Sequence, residues 1–474
     1  MNARLSAATL AGLPESIEKP RYALERIGIG VVHFGPGAFH RAHQACYFDD
    51  ALATDPRWGV SAVSLKSAGL RNALVQQDGL YTVAVLDTEL RYRVIGCLRE
   101  RLVAAEESER VLARLAAPST KLVTLTVTEK GYCLRADGNL DFDHADVIAD
   151  IAQPRQPTSV VGYLVEGLRR RRVAGLAPYT TISCDNLVDN GGRLGRAVAA
   201  LARRHDAALA DWVEHEAVFP RTMVDSIVPA TDAALEQRVA DVLGVADAWP
   251  VQREAFSQWV IEDRFCGDVP DFARLGVTLT TDVGAFEQAK LRLLNGAHST
   301  LAYLGSLGGH ATVADAMRDE RLAPFVEKLM RDDIRASLAV PRDFDLDAYI
   351  ASILRRFRNP AMQHQLAQIA WDGSQKLPFR LLGTIRDAIA ADRPIDRLCM
   401  PIAAWLHFIR RAQRDARKLI DPLAEILFSI AKACDGSAAH DVPKFLALGQ
   451  VFGADLPRSD RFVAAVERAY AQIG

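Results

Sequence analysis

The chain has 474 residues, about half of them hydrophobic and a quarter charged, with a formal net charge of −2. That length exceeds one ordinary core and predicts two domains. The near-neutral balance leaves no excess of cations for nucleic acid or an anionic membrane surface. No apolar run approaches the roughly 20 residues of a membrane span, and the first residues, MNARLSAATLAGLPESIEKPRY, lack an apolar segment with a cleavage site, so a cytoplasmic protein is expected. The seven cysteines are scattered and form no C-x-x-C pair, which disfavours a disulfide framework or a zinc site. No metal is expected; His40 and His43 have the spacing of a helix face, but no further ligand completes a recognised pattern.

In chain order, residues 28–34 form a short apolar, β-branched run that predicts a buried parallel strand. Gly35-Pro-Gly37 follows and leads into a helical stretch from Ala38. Further strands are predicted at 59–65, 81–86, 121–127 and 180–184, with helices at 104–116, 158–174 and 192–217. This alternation implies a parallel sheet covered on both faces. Near residue 281 the periodicity changes, and helices are predicted at 283–306, 311–317, 322–338, 345–357, 361–371, 378–390, 397–412, 421–432 and 460–472. The fold class is therefore α/β: a Rossmann-type doubly wound domain over 1–281, then an all-helical domain over 282–474.

Two segments carry chemistry. A glycine turn between a first strand and a helix presents backbone N–H groups to a pyrophosphate. Gly35 and Gly37 match the first two positions of G-x-G-x-x-G, but the third is His40. The second strand lacks the acidic residue that would bind a ribose 2′-hydroxyl. It runs into Ser64, Lys66, Ser67 and Arg71, which suit a 2′-phosphate, and hence NADP, or a solvated loop equally well. The second segment is KLRLLNGAH (290–298). On an α-helix with Lys290 at 0°, His298 falls at about 80° and Asn295 at about 140°, so all three project to one side. A lysine among apolar neighbours loses basicity and becomes a usable general base, with an amide and an imidazole beside it. The alternative is an amphipathic helix whose polar edge faces water.

Eight segments in order, VHFGPGAFHRAHQA (32–45), QDGLYTV (77–83), TVTEKGYC (126–133), SCDN (183–186), FPRTMVDSIVPAT (219–231), QWVIEDRF (258–265), KLRLLNGAHS (290–299) and DGSQKLPFR (372–380), resemble the polyol-specific long-chain dehydrogenase family. The resemblance implies a Rossmann domain, a helical domain, a cleft between them, and metal-independent, NAD(P)-dependent oxidation of a secondary alcohol. NAD is the first expectation, on these grounds alone, and a monomer is the common state. Carried onto this chain, the resemblance makes Lys290 the general base, Asn186 and Asn295 the amides on the reacting oxygen, and His298 the group orienting a neighbouring hydroxyl. Asp225 and Lys376 would line the substrate side. Gly35, Gly37 and Phe39 would form the cofactor loop, Ser64 and Lys66 would meet the adenosine end, and Glu129 would lie on the cofactor side near the proton exit.

The implied reaction interconverts a polyol and its 2-ketose, D-mannitol and D-fructose first. The alternative is D-mannonate and D-fructuronate, whose carboxylate needs a cation, for which Arg292, Lys376 and Arg380 are candidates. Gln368 departs from the arginine that some relatives have there, and it leans the same way as the Leu-Pro-Phe-Arg after Lys376. The stretch SLKSAGLRNALVQQDGLYTV leans toward mannitol-type members. A catalytically silent nucleotide sensor is the reading from another class, and it has no need of a base.

Overall fold

The computed structural model describes residues 3–341 and 344–473; Met1, Asn2 and Gly474, at the ends of the two expected domains, and Arg342 and Asp343 lie outside the described residues. The chain divides into two compact units, Met1–Val283 and Gly284–Gly474.

The strands of the first unit are, in order, β1 (Ile17–Glu18), β2 (Ile29–Phe34), β3 (Gly59–Ser64), β4 (Tyr81–Leu86), β5 (Arg91–Ile95) and β6 (Leu98–Val103). They continue with β7 (Leu122–Leu125), β8 (Thr180–Ser183), β9 (Thr222–Asp225), β10 (Val251–Glu254), β11 (Gln258–Glu262) and β12 (Thr278–Thr280). Five make a wholly parallel sheet in the order β6-β3-β2-β7-β8. The first of these in sequence, β2, lies at its centre. The chain leaves it to one side for β3 and returns to the other for β7, so the switch point sits at the C-terminal end of β2.

Alternate side chains of this sheet feed two cores, as a period of two requires. Val32, Phe34, Val63, Val123 and Leu125 pack with residues of the helices Ala104–Ala116, Val160–Val173 and Asn190–His205. Val31, Val60, Ala62, Leu122 and Ile182 pack on the other face with Phe48 of helix Gln44–Ala51, Trp58 and Trp259. Burying each of the larger side chains contributes about 1.5–3 kcal/mol, which is what commits these runs to central strands. The smaller sheets, β1-β5-β4-β10 and β12-β11-β9, mix parallel and antiparallel pairs. The sequence reading misses β1, β5, β6 and β9 to β12; the runs of β5 and β6 are interrupted by charged residues, and β6 is an edge strand of the large sheet. The helix expected over 192–217 is two helices, Asn190–His205 and Ala207–Glu216. Asp206 is extended between them, and its carboxylate caps the second by accepting from Ala208 N at 2.8 Å.

The described elements of the second unit are helical, apart from one bridge between Thr312 and Gln365. The helix expected over 283–306 contains a local change of pitch. Val283–Ala289 is α-helical, Lys290–Asn295 is a π turn, and α-helix resumes over Gly296–Leu307. Two more π turns occur at Leu329–Ile334 and Pro378–Leu382, and the Lys290–Asn295 turn packs against both. Gly296 makes the approach possible: a Cβ there would sit 3.1 Å from the Arg380 carbonyl oxygen and 3.7 Å from Ile334 Cδ1. A further helix, Ala438–Leu446, lies outside the runs expected from periodicity.

Candidate functional site

In the first unit, the end of β2 turns sharply at Gly35, whose φ of +83° favours glycine. A Cβ there would lie 2.2 Å from the Thr126 carbonyl oxygen, so no other residue fits without moving the strand end. Gly35 N donates to Val63 O at 3.0 Å and Gly35 O accepts from the Thr126 hydroxyl at 2.7 Å. The turn is thus pinned to both neighbouring strands, at the switch point. Gly37 begins helix Ala38–Ala42, and no side chain caps its first N–H groups. Those donors suit a pyrophosphate.

The third glycine of the fingerprint normally lets the helix approach the strand closely. Here His40 takes that position and stacks on His33, centroids 3.3 Å apart and planes 14° from parallel. The His33 ring nitrogens meet the hydroxyls of Thr124 (2.7 Å) and Thr126 (2.9 Å), while among the described residues neither ring nitrogen of His40 has a hydrogen-bond partner. Burial lowers both pKa values, that of His33 to about 3, so the pair is a flat neutral spacer. Phe39 stacks on His43 at 5.0 Å. The helix face imagined for His40 and His43 does not exist, because the backbone breaks at His43 (φ −121°, ψ −90°).

Beyond β3, Lys66 is exposed and lies 3.9 Å from Asp146, and the Ser67 hydroxyl accepts from Gly69 N. Arg71 pairs with Glu106 at 2.7 Å and Glu107 at 3.0 Å. Its charge is thus shared with two carboxylates.

Asn186 is exposed on the loop after β8. Two residues that the sequence reading passes over hold that loop. The Asp185 carboxylate accepts from Val127 N, Thr128 N and the Tyr132 hydroxyl at 2.9, 3.0 and 2.6 Å. Buried Asn190 donates to the carbonyls of Ser183, Asp185 and Thr222, and accepts from Thr222 N. Together they tie the ends of β7 and β8 to the start of β9. The exposed Glu129 is on the short turn Thr128–Gly131, and Asp225 is buried at the end of β9 opposite Gln258. The only hint of Asn190 in the sequence is a second asparagine four residues after Asn186.

In the second unit, the angular reading of KLRLLNGAH needs correction. It assumes 3.6 residues per turn, but the segment is a π turn with i→i+5 bonding, whose wider winding changes the angles between Lys290, Asn295 and His298. Lys290 opens the turn and Asn295 closes it, and both are partly buried. One turn on, His298 is buried between Phe357 (centroids 4.6 Å) and the edge of His364 (5.1 Å). Its pKa is well below the usual value, from burial first and then from His364, Arg356 and Arg380. Its Nε2 has no hydrogen-bond partner among the described residues, an arrangement costly unless a ligand hydroxyl meets it.

The three candidate cations separate clearly. Arg292 is occupied by Asp387 (2.5 Å) and the Ser337 carbonyl (3.0 Å). Lys376 donates to Ile369 O at 3.3 Å, and burial, reinforced by Arg380, lowers its pKa. Partly buried Arg380 donates to the Ser299 hydroxyl at 3.1 Å and weakly to Asn295 O at 3.5 Å; it has no carboxylate partner among the described residues, and burial lowers its pKa as well. Gln368 is exposed.

A doubly wound parallel sheet with a glycine turn at its switch point, followed by a helical unit, defines a nucleotide-binding α/β protein of two-unit type. The chain belongs to the mannitol dehydrogenase family: residues 29–273 match the mannitol dehydrogenase Rossmann domain and residues 282–474 the mannitol dehydrogenase C-terminal domain. It is 40% identical over 466 residues to the D-mannonate oxidoreductase of Escherichia coli (strain K12), covering 96% of each chain. Among solved structures it resembles a D-sorbitol dehydrogenase in substrate-free form (TM-score 0.92, 33% identity, 100% of both chains). It also resembles the Pseudomonas fluorescens mannitol 2-dehydrogenase in ternary complex with NAD and D-mannitol (TM-score 0.81, 35% identity, 99% of this chain and 96% of that one). Among the described residues no helix is long and apolar enough to cross a membrane.

Proposed function

We propose that this chain is a cytoplasmic, monomeric, NAD-dependent and metal-independent dehydrogenase that interconverts a polyol and its 2-ketose, D-mannitol and D-fructose first. Residues 1–281 form the dinucleotide-binding domain and also supply Asn186 and Asp225 to the substrate, and 282–474 form the substrate and catalytic domain with the base. The observation that carries the reading is the π turn that bears both Lys290 and Asn295, one turn before a buried, neutral His298 whose Nε2 has no hydrogen-bond partner among the described residues. In oxidation Lys290 takes the proton of the C2 hydroxyl, and in reduction its ammonium returns it. The amides of Asn186 and Asn295 donate to the oxygen as it becomes an alkoxide, each worth about 3–4 kcal/mol in comparable sites. His298 orients a neighbouring hydroxyl, and Asp225 and Lys376 hold the rest of the chain of carbinols. NAD, when bound, accepts the hydride. Gly35, Gly37 and Phe39 would hold its pyrophosphate, Ser64 and Lys66 would meet the adenosine end, and Glu129 would lie on the cofactor side near the proton exit. The uncapped N–H groups after Gly37 fit that group, and the commitment of Arg71 to two glutamates supports NAD over NADP.

Lys290→Ala tests the assignment. It should cut kcat by orders of magnitude while NAD affinity changes little; turnover within about threefold of the parent removes lysine from the base role.

A second reading, D-mannonate and D-fructuronate, is favoured by Arg380, a partly buried guanidinium near His298 and Lys376 with no carboxylate partner among the described residues. Initial rates with mannitol, sorbitol, arabinitol, fructose, mannonate and fructuronate, each with NAD(H) and NADP(H), separate the two. No turnover with any of them favours the silent sensor.

A further inference from the structure

A cavity of about 540 Å³ opens in the helical unit between the C-terminal end of helix Gly296–Leu307, the stretch 365–371 and the loop 417–420. It is distinct from the lysine turn: Ser306, on its wall, is eight residues beyond His298, about 12 Å along the same helix. Three cations line it, Arg411, Arg417 and Lys418. Asp415 gives its short contact to Arg414 (3.0 Å) and stands 3.8 Å from Arg411 and 3.6 Å from Arg417, within ion-pair range but beyond hydrogen-bond distance. Arg411 donates to the Leu307 carbonyl, but its Nε is buried without a hydrogen-bond partner. Lys418 has no ion pair among the described residues. His310, also on the wall, is matched by Asp319. The lining also has open apolar side chains: Trp371 is 41% exposed and Ile420 37%.

We propose that this cavity binds a phosphate ester. The described lining residues include these three cations and no carboxylate, a balance suited to a dianion, and guanidinium groups favour phosphate geometry. The indole of Trp371 offers a face to the ring of a sugar or base, and the volume suits a ligand of that size. The same loop reaches the substrate side. Asp372 N donates to Ile420 O at 2.9 Å, and Ser374 N to the Asp421 carboxylate at 2.8 Å. These bonds hold the helix Gly373–Leu377 that carries Lys376. A phosphate drawn onto Arg417 and Lys418 therefore biases the position of Lys376, and the site acts as an effector site that changes KM. The coupling rests on the reading of Lys376 as a substrate contact; the binding does not.

The test is calorimetric titration of the full chain, and of its Lys290→Ala variant, with inorganic phosphate, fructose 6-phosphate and AMP, followed by steady-state kinetics at saturating ligand. A phosphate ester should bind at least about tenfold more tightly than inorganic phosphate, weaken as salt is raised, and lose affinity by about tenfold or more in Arg417→Glu/Lys418→Glu. Preference for fructose 6-phosphate identifies a sugar ligand, and preference for AMP a nucleotide. Equal affinity for all three overturns the ester assignment, and no binding at millimolar concentration overturns the site. Binding that leaves KM unchanged overturns the coupling. An active Lys290→Ala variant refutes the lysine mechanism without touching the titration.

Discussion

Arg380→Met separates the two substrates. The guanidinium makes one good hydrogen bond, to the Ser299 hydroxyl at 3.1 Å, and one marginal contact, to Asn295 O at 3.5 Å. Losing a bond from a charged donor costs about 1.5–3 kcal/mol. Against that, a partly buried cation with no carboxylate partner carries a desolvation penalty of several kcal/mol, which methionine removes while keeping the length of the stem. The two effects nearly cancel, so the unliganded protein should melt within a few degrees of the parent. A substrate carboxylate would lose its charged partner, worth about 3–5 kcal/mol, or roughly 10²-fold to a few thousandfold in kcat/KM at 1.4 kcal/mol per tenfold. D-mannitol, with a neutral carbinol at that end, should change by less than about threefold. The assay is nicotinamide absorbance on both substrates, with thermal denaturation of the same preparations. Equal losses on both refute a carboxylate contact and make Arg380 a brace for the π turn through Asn295 and Ser299.

Gly35→Ala adds a methyl 2.2 Å from the Thr126 carbonyl at a φ of +83°; the protein should lose about 2 kcal/mol or more of stability, and NAD affinity, measured by fluorescence titration, should fall more than about tenfold. Acid should destabilise the first unit through its neutral histidines. His33 has a folded pKa of about 3 against an ordinary 6.5, and that of His40 is also well below it. The unfolded chain therefore binds more protons, so the stability is complete above pH 6.5 and is lost as pH falls toward 3, at about 1.4 kcal/mol per unit for each histidine. In denaturant melts between pH 6.5 and 4.5, His33→Asn should flatten that slope by about one proton; an unchanged slope means His33 is protonated in the fold.

The parts of this molecule that depend on local pattern are legible in its sequence. The β-branched run before Gly35 is a central parallel strand because both of its faces are apolar. The helical unit is legible because its periodicity is long. What depends on distant partners is not. Nothing in Lys-Leu-Arg-Leu-Leu-Asn distinguishes i→i+5 from i→i+4 bonding; its turn packs on segments around Ile334 and Arg380, far along the chain. The His40 substitution looks like a defective fingerprint until His33, seven residues earlier, is found stacked beneath it. Asp185 and Asn190 act through backbone groups of other strands, so their residue types alone carry no signal. The charges of Arg292 and Arg380 are equal in sequence, and only their surroundings show that Asp387 occupies the first while no carboxylate among the described residues pairs with the second.

The packing of three π turns makes a prediction about Gly296. A π turn bonds less favourably than an α turn, so tertiary contacts must sustain it. Gly296 is the first residue after the Lys290–Asn295 turn, with an ordinary helical φ of −65°, so its value lies in space and not in conformation. The methyl of Gly296→Ala would meet the Arg380 carbonyl at 3.1 Å and Leu381 Cδ2 at 3.5 Å. Helix propensity gains about 1 kcal/mol, and the two segments must separate by a few tenths of an ångström, which costs a similar amount. Stability should therefore barely move. Position at the lysine should move, because the same shift loosens the contact that sustains the π turn, and small misplacements of catalytic groups cost up to about 10²-fold in rate. The expected result is an unchanged Tm with kcat lowered by about tenfold or more and NAD affinity intact. A variant with unchanged kcat would show that the lysine turn holds its pitch without the neighbouring segments, and the π geometry would then owe nothing to their packing.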